Sequence, residues 1–525
     1  MKKIHLFISL FLLYGIFTTS CLKDEGNYDY KELGNFLVDT VGKPVSMTVK
    51  QFATLTLPSN LIYDGEKSDL SYRWELYQSS GTLTLGPSYY HTEFNHPYSR
   101  EDFPDHTIAE TENLSIQITD QPGSYYLTFT AKNDKTGYCA FMRYGVTIEG
   151  SVGTGIAVLY KGANGIDIDV VATPVLNGNL TTASYVRNTY SIANPNRPFA
   201  GEPGNLVLAS NGNNYYLYLT SSEDAVRLTS FDMKIAHEFG DIFAGNAPAK
   251  KNIGGFMING GNQFFVNDGI VYKTVSSSQW LFTALIMPGG SYYAAPFSEF
   301  TYGVNCISYD MTGRRFIFAM MWGAEIIPAV GPTGAAFDLG NVGKDLIFWD
   351  KGYYSGAANE NPNYCIFKNP TDDGKRYLYV FTAHTASPGS YNVLAPLEIT
   401  TCAEIQDATF FTFGERGPVA FYATDKRVYQ LNYSLTTAIT PTSSNVWSCD
   451  AAETITAVKL FKQAGLNLAS STLDKYLMVA TYNNSTGMGK LYLLEADIAS
   501  GVLEAEPAAV YDFNGKISDF DFINR

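Results

Sequence analysis

The side chains that could act as nucleophiles or general bases are few and scattered in this sequence. Beyond residue 150 the chain holds only two histidines, His237 and His384, so a Ser-His-Asp triad there would have to use one of them. No serine has glycine at both second neighbours, as a nucleophile elbow requires, and neither HExxH nor GxxxxGK[ST] occurs. These absences predict a protein that is not an enzyme.

Metal and cofactor binding also lack a recognisable pattern. His91, His96 and His106 lie with acidic residues in one polar, aromatic insert, but their spacing of five and ten residues matches no metal motif. The acidic turn TDDG could hold calcium, yet the twelve-residue calcium loop is absent. The five cysteines that follow the first one are far apart and form no CxxC pair. We therefore expect no metal and no cofactor.

Paired carboxylates are the catalytic chemistry that the sequence leaves open. Glycoside hydrolysis needs two carboxylates held roughly 5–9 Å apart. Five aspartates near predicted strand ends are candidates: Asp310, Asp345, Asp350, Asp372 and Asp373. Aspartate and glycine at such places are also the ordinary residues of hairpin turns. A surface glycan-cleaving enzyme is therefore the alternative to a binding protein.

Aromatic side chains offer a simpler chemistry, which is ligand binding. The chain has 37 Tyr and 33 Phe with only 17% charged residues, and exposed rings can stack on sugar faces or peptide side chains. The net charge of −15 argues against nucleic acid and anionic lipid as partners. Candidate binding residues lie between or at the ends of the hairpins described next: Trp280, Tyr292, Tyr293, Trp322, Trp349, Tyr353, Tyr354 and Trp447. Each could instead belong to the core between sheets.

A repeated hairpin organises the chain after residue 150. Seven segments share the pattern of strand, turn and strand, and their starting points lie 49, 50, 51, 58, 54 and 57 residues apart. They begin at Gly155, Gly204, Gly254, Asn305, Asn363, Gly417 and Asp474. A hairpin repeat near 50 residues is typical of a β-propeller, so we predict one over residues 151–525, with seven blades favoured and six or eight as alternatives. The last strand, Lys516 to Ile523, should pair with the first blade and close the ring.

Residues 45–150 alternate in the manner of an antiparallel sandwich. The stretch LSYRWELYQ places Trp74 in the middle of a strand, and GSYYLTFTAKNDKTGYCAFMRYGVTIEG reads as two strands joined by a polar turn. About a hundred residues with short strands and one central tryptophan predict an immunoglobulin-like β-sandwich. The fold class expected for the whole chain is therefore all-β, a sandwich followed by a propeller.

The N-terminus has the order of a secretory signal. Lys2 and Lys3 precede an apolar segment from Ile4 to Phe17, which is too short to span a bilayer comfortably as a helix. Small polar residues and Cys21 follow, as in the bacterial lipobox, where that cysteine receives lipid. We predict a signal peptide over residues 1–20 and a lipidated tether over 21–44; an ordinary signal peptide with an incidental cysteine is the alternative. Acyl chains contribute about 0.8 kcal/mol per buried methylene to membrane binding.

Several of these stretches together resemble a known family. YRWELY and QPGSYYLTFTAKND are similar to PKD-type domains, and the late hairpin from Phe421 to Asn432 joins the N-terminal CLKDEGNYDY in resembling the PKD-like family lipoproteins of Bacteroidetes. The resemblance implies that Lys23, Asp24 and Glu25 are an export signal. That signal would place the protein on the outer membrane, lipid-anchored and facing the cell exterior.

The same resemblance implies partners and a function. Such lipoproteins accompany nutrient importers in which a SusC-like barrel transporter is capped by a SusD-like lipoprotein. The implied function is a non-enzymatic accessory component that binds or presents an oligosaccharide or an oligopeptide. A purely structural or adhesive surface lipoprotein is a further alternative.

Overall fold

The computed structural model describes residues 35–79, 106–211, 214–259, 262–275, 280–301, 305–319, 323–354, 362–383, 391–463, 468 and 472–523. The chain folds into two compact units, with the division near Ile148. No helix in the described ranges is long and apolar enough to cross a membrane. Cys21, Lys23, Asp24 and Glu25 lie outside the described residues, so the predicted anchor and export signal stay predictions.

The first unit is a β-sandwich of nine strands within its described residues. They are β1 (Phe36–Val38), β2 (Ser46–Lys50), β3 (Thr54–Leu57), β4 (Leu61–Tyr63), β5 (Leu70–Gln78), β6 (Thr107–Ala109), β7 (Leu114–Gln117), β8 (Gly123–Asn133) and β9 (Cys139–Glu149). Five of them form a sheet in the order β2-β9-β8-β5-β6, and β1-β4 and β3-β7 form two short pairs. A 3₁₀ turn, Lys67–Asp69, precedes β5. Because β1 pairs with β4, the sandwich begins inside the predicted tether of residues 21–44.

Trp74 is the central residue of the sandwich core. Its side chain is fully buried and its ring lies 4.6 Å from that of Phe129, which is its cross-strand partner on β8. The indole Nε1 donates to the Thr111 carbonyl at 3.0 Å, so burial leaves the polar end of the ring paired. At the predicted polar turn, the Asn133 carboxamide oxygen accepts the amides of Lys135 and Thr136. These contacts confirm the predicted strand tryptophan and the hairpin turn.

The second unit is a β-propeller whose described residues form seven antiparallel sheets. The strands of blades 1 to 3 are β10 (Gly155–Gly162), β11 (Gly165–Ala172), β12 (Ser184–Val186); β13 (Pro203–Asn211), β14 (Asn214–Ser221), β15 (Ala225–Thr229), β16 (Ile235–His237); β17 (Ile253–Asn259), β18 (Asn262–Asn267), β19 (Ile270–Val275) and β20 (Leu281–Ala284). One helical turn, α1 (Thr189–Ala193), follows β12, and a 3₁₀ turn, Phe239–Asp241, follows β16.

Blades 4 to 7 continue the same plan. Their strands are β21 (Ala294–Thr301), β22 (Asn305–Asp310), β23 (Arg315–Ala319), β24 (Ile326–Pro328); β25 (Asp345–Lys351), β26 (Asn363–Lys368), β27 (Arg376–Ala383), β28 (Tyr391–Val393), β29 (Leu397–Glu398); β30 (Phe410–Phe413), β31 (Ala420–Ala423), β32 (Arg427–Asn432), β33 (Thr442–Ser448); β34 (Glu453–Leu460), β35 (Tyr476–Asn483), β36 (Met488–Glu495) and β37 (Ala509–Phe513). Each of the seven predicted hairpins falls in a different blade, which confirms the favoured blade count.

The last strand closes the ring, as its sequence predicts. β38 (Lys516–Ile523) pairs antiparallel with β10 and becomes the innermost strand of blade 1, in the order β12-β11-β10-β38. The innermost strands β38, β13, β17, β21, β25, β30 and β34 contact one another in succession, and β34 returns to β38. They surround a central channel, and every blade has a neighbour on both faces.

Neighbours on both faces explain the continuous apolar runs of the strands. Along β26, Cys365 and Phe367 pack into the core between blades 4 and 5, whereas Tyr364 and Ile366 pack into the core between blades 5 and 6. Each of the seven interfaces between blades has such a hydrophobic cluster. Burial of these clusters is the main stabilising term of the ring.

Candidate binding site in the central channel

A cavity of about 270 Å³ lies among the innermost strands of four consecutive blades. β25, β30, β34 and β38, of blades 5, 6, 7 and 1, supply most of its wall. The lining includes Phe348, Asp350, Thr409, Phe410, Thr412, Lys459, Lys462, Ser518 and Asp519. With Phe411 as well, the site combines three phenylalanine rings with two lysines and two aspartates. It exists only because the ring of blades is closed.

Asp519 and Asp521 reach the channel because they alternate with buried rings on β38. Phe520 and Phe522 pack into the core between blades 7 and 1, so the residues between them face the other way. Asp519 Oδ2 accepts the Leu206 amide at 2.9 Å, and Asp521 Oδ2 accepts the Leu208 amide at 2.7 Å. Both amides belong to the inner edge of β13, where no further strand can pair with them, so the carboxylates satisfy a sheet edge.

The same arrangement recurs around the cavity. Asp350 Oδ2 on β25 accepts the Phe413 amide on β30 at 3.0 Å, and Thr412 Oγ1 on β30 accepts the Leu460 amide on β34 at 3.1 Å. A polar side chain of one blade therefore satisfies the inner edge of the next. These bonds fix the carboxylates in place before any ligand arrives, which is the preorganisation that a binding site needs.

Lys459 forms an ion pair with Asp519 inside the channel and donates to the Phe520 carbonyl at 3.3 Å. Its side chain is 46% exposed although innermost strands surround it, because it faces the cavity. Burial lowers the pKa of Lys459, but the carboxylates of Asp519 and Asp521 outweigh that effect and leave the pKa raised. The ammonium therefore stays charged.

Lys462 forms the second ion pair of the lining. Its Nζ lies 2.6 Å from Asp350 Oδ1 and 2.8 Å from the Lys351 carbonyl, with Glu415 at 3.6 Å. The Lys351 amide also donates to Asp350 Oδ1, at 2.8 Å. Both oxygens of Asp350 are thus engaged, as are both oxygens of Asp519, whose Oδ1 accepts the Phe520 amide as well as Lys459.

Asp521 lies beside this cluster with a different environment. Burial raises its pKa, against the Lys459 ammonium, which acts to lower it. Besides the Leu208 amide, it accepts hydrogen bonds from Gln463 Nε2 at 3.0 Å and from the Phe522 amide at 2.8 Å. Asp521 therefore extends the polar wall from blade 1 toward blade 7.

The structure does not bring the predicted aromatic binding residues together. Those that it describes belong to blades 3 to 6 and their connections, none of them lines the channel cavity, and Trp322 lies outside the described residues. Trp349 is buried in the core between blades 4 and 5 and donates to Asn363 Oδ1 at 3.2 Å. The prediction that Trp349 contacts ligand is therefore wrong, because no face of its ring is free.

Tyr292 and Tyr293 are adjacent but have different surroundings. The Tyr292 hydroxyl donates to the Leu285 carbonyl at 2.7 Å and accepts the Val271 amide, and burial raises its pKa. These bonds give Tyr292 a structural role, and its contact with a ligand stays a prediction. Tyr293 is 44% exposed, and its hydroxyl accepts Asn252 Nδ2 at 3.2 Å.

The remaining aromatic candidates are partly buried, and most of them contact other residues of the propeller. Trp280 has a positive φ of 62° and its carbonyl accepts Arg227 Nη1 at 3.1 Å. The Tyr353 carbonyl accepts the Tyr364 hydroxyl, and Tyr354 is half-buried beside it. The ring of Trp447 lies 5.0 Å from that of Tyr492 in the core between blades 6 and 7. These positions offer no shared surface for stacking.

Of the five candidate carboxylates, only Asp350 lines the cavity. Asp310 is buried and forms an ion pair with Arg315, and Asp345 pairs with Arg314. Asp372 accepts the Gly374 amide in its turn, and Asp373 pairs with Lys368, which lowers the pKa of Asp373. These four serve turns and strand ends, as the simpler interpretation of the sequence states.

The two histidines within the described residues, His237 and His106, lie against other side chains of the protein. His237 lies against Arg227 on the neighbouring strand, and burial together with that cation lowers its pKa. His106 is near Tyr77 in the sandwich, and His91, His96 and His384 lie outside the described residues. Among the residues that the structure describes, no cluster of three His, Cys, Asp or Glu is arranged to hold a metal.

Sequence reasoning missed Lys459, Lys462, Asp519 and Asp521. Each could have been noticed as a charge in, or directly after, an otherwise apolar inner strand, as in AVKLFK and SDFDFI. A strand that is buried on both faces tolerates a charge only where the charge has a partner. What could not be read was which charges meet, since they come from different blades.

The described strands define an all-β protein in which an immunoglobulin-like sandwich precedes a seven-bladed propeller. The model of the PKD-like family matches residues 21–203, a stretch that holds every sandwich strand and the first three propeller strands. This match supports the predicted PKD-like domain. Comparison with curated proteins gives no match.

Several solved structures are similar to this chain. One is a quinoprotein alcohol dehydrogenase-like protein of Bacteroides thetaiotaomicron, with 12% identity, a TM-score of 0.48, and coverage of 93% of this chain and 100% of that one. Another is Hsv2 of Kluyveromyces lactis, with 8% identity, a TM-score of 0.37, and coverage of 68% and 99%. A third is the dihydro-heme d1 dehydrogenase NirN, with 10% identity, a TM-score of 0.38, and coverage of 73% and 72%. At these values the likenesses carry nothing about activity.

Proposed function

We propose that the protein is a non-enzymatic surface lipoprotein that binds a ligand in the central channel of its propeller. The observation that supports binding best is the channel cavity, whose charged side chains are already fixed by one another and by backbone amides. A wall of fixed donors and acceptors beside aromatic rings is the usual composition of a small-molecule site. The sandwich would act as a spacer between the anchor and the propeller.

We further propose that Cys21 carries the lipid, that Lys23, Asp24 and Glu25 direct the protein to the exterior face of the outer membrane, and that the protein assists a SusCD-like importer. Its partners there would be a SusC-like barrel transporter and a SusD-like lipoprotein, and its ligand an oligosaccharide or oligopeptide. The support is the lipobox-like sequence and the match of the PKD-like family over residues 21–203.

Purification in mild detergent from the native membrane tests the partners. We expect a barrel transporter and its capping lipoprotein to accompany the protein through affinity and size-exclusion steps. A variant with Asp350→Asn in the channel should keep those partners, because the channel is a ligand site in this proposal. Recovery of the protein alone under these conditions would contradict the accessory role and favour a structural or adhesive one.

A glycan-cleaving enzyme is the second candidate, because Asp350 and Asp519 line the same cavity. All four of their oxygens accept hydrogen bonds from backbone amides or lysines, so both carboxyl groups act as acceptors, whereas glycoside hydrolysis needs one of the pair as a proton donor. Incubation with a polysaccharide panel and assay of new reducing ends separates the two functions. Release that disappears in Asp519→Asn, with the fold intact, would establish the enzyme.

A further inference from the structure

We infer that the channel cavity binds a neutral, hydroxyl-rich ring, of the kind found as one unit of a saccharide. This inference rests on the proposed binding function and names the chemical class of its ligand. It follows from the hydrogen-bonding capacity that the lining retains, from the balance of its charges and from its size.

The lining retains both donor and acceptor capacity. Within the described residues the Lys459 ammonium has two acceptors, Asp519 and the Phe520 carbonyl, and an ammonium has three N–H groups. Asp519 Oδ2 accepts only the Leu206 amide and Asp350 Oδ2 only the Phe413 amide there, and a carboxylate oxygen can accept two bonds. One N–H and two lone pairs are therefore left for a ligand.

A hydroxyl group matches this mixture because it donates and accepts at once. One ligand hydroxyl can donate to Asp519 or Asp350 while a neighbouring hydroxyl accepts from Lys459. Hydroxyls on adjacent ring carbons present a donor beside an acceptor, as the adjacent side chains of Lys459 and Asp519 do. A group that only accepts or only donates would use part of the lining and leave the rest unsatisfied.

The charge balance of the lining disfavours an ionic ligand. In the lining, Lys459 and Lys462 pair with Asp519 and Asp350. Two further carboxylates lie outside the lining: Glu415, 3.6 Å from Lys462 Nζ, and Asp521, which acts on Lys459. An anionic ligand would face these carboxylates, and a cationic ligand would face both lysines, so either would have to displace an existing ion pair. A neutral ligand avoids that cost.

The apolar part of the wall consists of Phe348, Phe410, Phe411, Ala457, Val458 and Leu460. Sugar rings have flat C–H faces that pack on phenyl rings, while their hydroxyls point outward to polar groups. The volume of about 270 Å³ lies just below the roughly 300–1,000 Å³ of drug-sized pockets. A single ring fits this space, so a longer saccharide would place only one terminal unit inside it.

Binding to the full mature chain in detergent tests the inference. The probes are neutral disaccharides such as cellobiose, maltose and lactose, the charged sugars galacturonate and glucosamine, and the neutral amide N-acetyl-alanyl-alanine amide, followed by calorimetry and ligand-observed NMR. We expect saturable binding of a neutral saccharide, and affinity about tenfold lower in Lys459→Met, as for loss of one hydrogen bond to a charged group.

A second variant keeps the inference testable even if Lys459→Met does not fold. Thr409 is exposed at the lining, so Thr409→Trp should fill the cavity and abolish binding while the thermal unfolding temperature stays unchanged. Thr401→Trp, at an exposed position outside the lining, is the matched control and should bind normally. Saccharide binding that survives Thr409→Trp would place the ligand elsewhere and overturn the inference.

The outcomes also separate this inference from the proposed function. Binding of the amide or of a charged sugar, blocked by Thr409→Trp, would keep a channel binding protein but overturn the neutral saccharide. Absence of saturable binding for every neutral saccharide at its highest soluble concentration would overturn the inference as well. Co-purification of an importer in that case would leave the accessory role standing.

Discussion

The Asp519 carboxylate and the Leu206 amide nitrogen lie 2.9 Å apart although 313 residues separate them in the chain. This bond joins the last strand to the innermost strand of the second blade. Asp519 therefore helps to close the ring. It also forms part of the wall of the channel cavity, where the same carboxylate pairs with Lys459. Stability of the ring and geometry of the site are therefore linked at β38.

Asp521→Ala should destabilise the propeller, because it removes a second bond between the closing strand β38 and β13. The variant leaves the Leu208 amide without its acceptor at the inner edge of β13. An unsatisfied buried amide costs about 1–3 kcal/mol of unfolding free energy, which urea unfolding would measure. Asp512→Ala, at an exposed position on β37, is the control and should change stability by less than about 0.5 kcal/mol. Equal effects of the two changes would show that β38 is not held by this bond.

Phe316→Ala should be among the more damaging single changes in the propeller. Phe316 is fully buried between blades 4 and 5, with its ring 4.7 Å from Phe381 and 5.3 Å from Trp349. Removal of a buried aromatic ring costs about 3–5 kcal/mol. Val330→Ala, at a side chain that is 60% exposed, should cost less than about 0.5 kcal/mol. Chemical denaturation of both variants compares the two costs, and a small loss for Phe316→Ala would argue against the blade interface described above.

Glu453 should make stability depend on acid pH. Burial raises the pKa of Glu453, but Lys490 at 2.7 Å, Thr481 and Tyr492 outweigh it and leave the pKa below the ordinary 4.5. A carboxyl with a lowered folded-state pKa stabilises fully above its unfolded pKa, and that contribution is lost as pH falls through the folded-state pKa.

Glu453→Gln tests this dependence. The variant should be less stable than the wild type by about 1–3 kcal/mol at neutral pH, and the difference should shrink as pH falls below 4.5. Urea unfolding from about pH 7 to about pH 3 measures it. Glu504→Gln, at an exposed position, serves as the reference. A difference that stays constant over the acid range would mean that Glu453 contributes by shape alone.

Cys21→Ala tests the predicted anchor. Without the thiol no lipid can be attached, so the protein should move from the membrane fraction to the soluble fraction and lose incorporation of labelled fatty acid. Cys139→Ala, which changes a cysteine of the sandwich, should stay with the membrane. Membrane attachment of Cys21→Ala would favour an ordinary signal peptide and some other mode of attachment.

The residues of the channel site could not be identified from the sequence. Asp350 is one of five candidate carboxylates in the sequence, with Asp310, Asp345, Asp372 and Asp373. An ordinary role in hairpin turns explains the presence of all five equally well. Only the structure separates them, because Asp350 alone of the five lines the cavity. The aromatic candidates failed for a related reason: a propeller buries rings between blades, and the sequence does not show which loops rise above the sheets.

Local features determined what the sequence could establish by itself. The hairpin rhythm, the strand tryptophan Trp74, the polar turns and the closing strand Lys516–Ile523 depend on near neighbours in the chain, so the all-β class, the sandwich and the seven blades were predictable. The tertiary structure alone decided the site. Asp350, Lys459 and Asp519 come from three different blades, and their side chains meet only once the ring has closed around the channel.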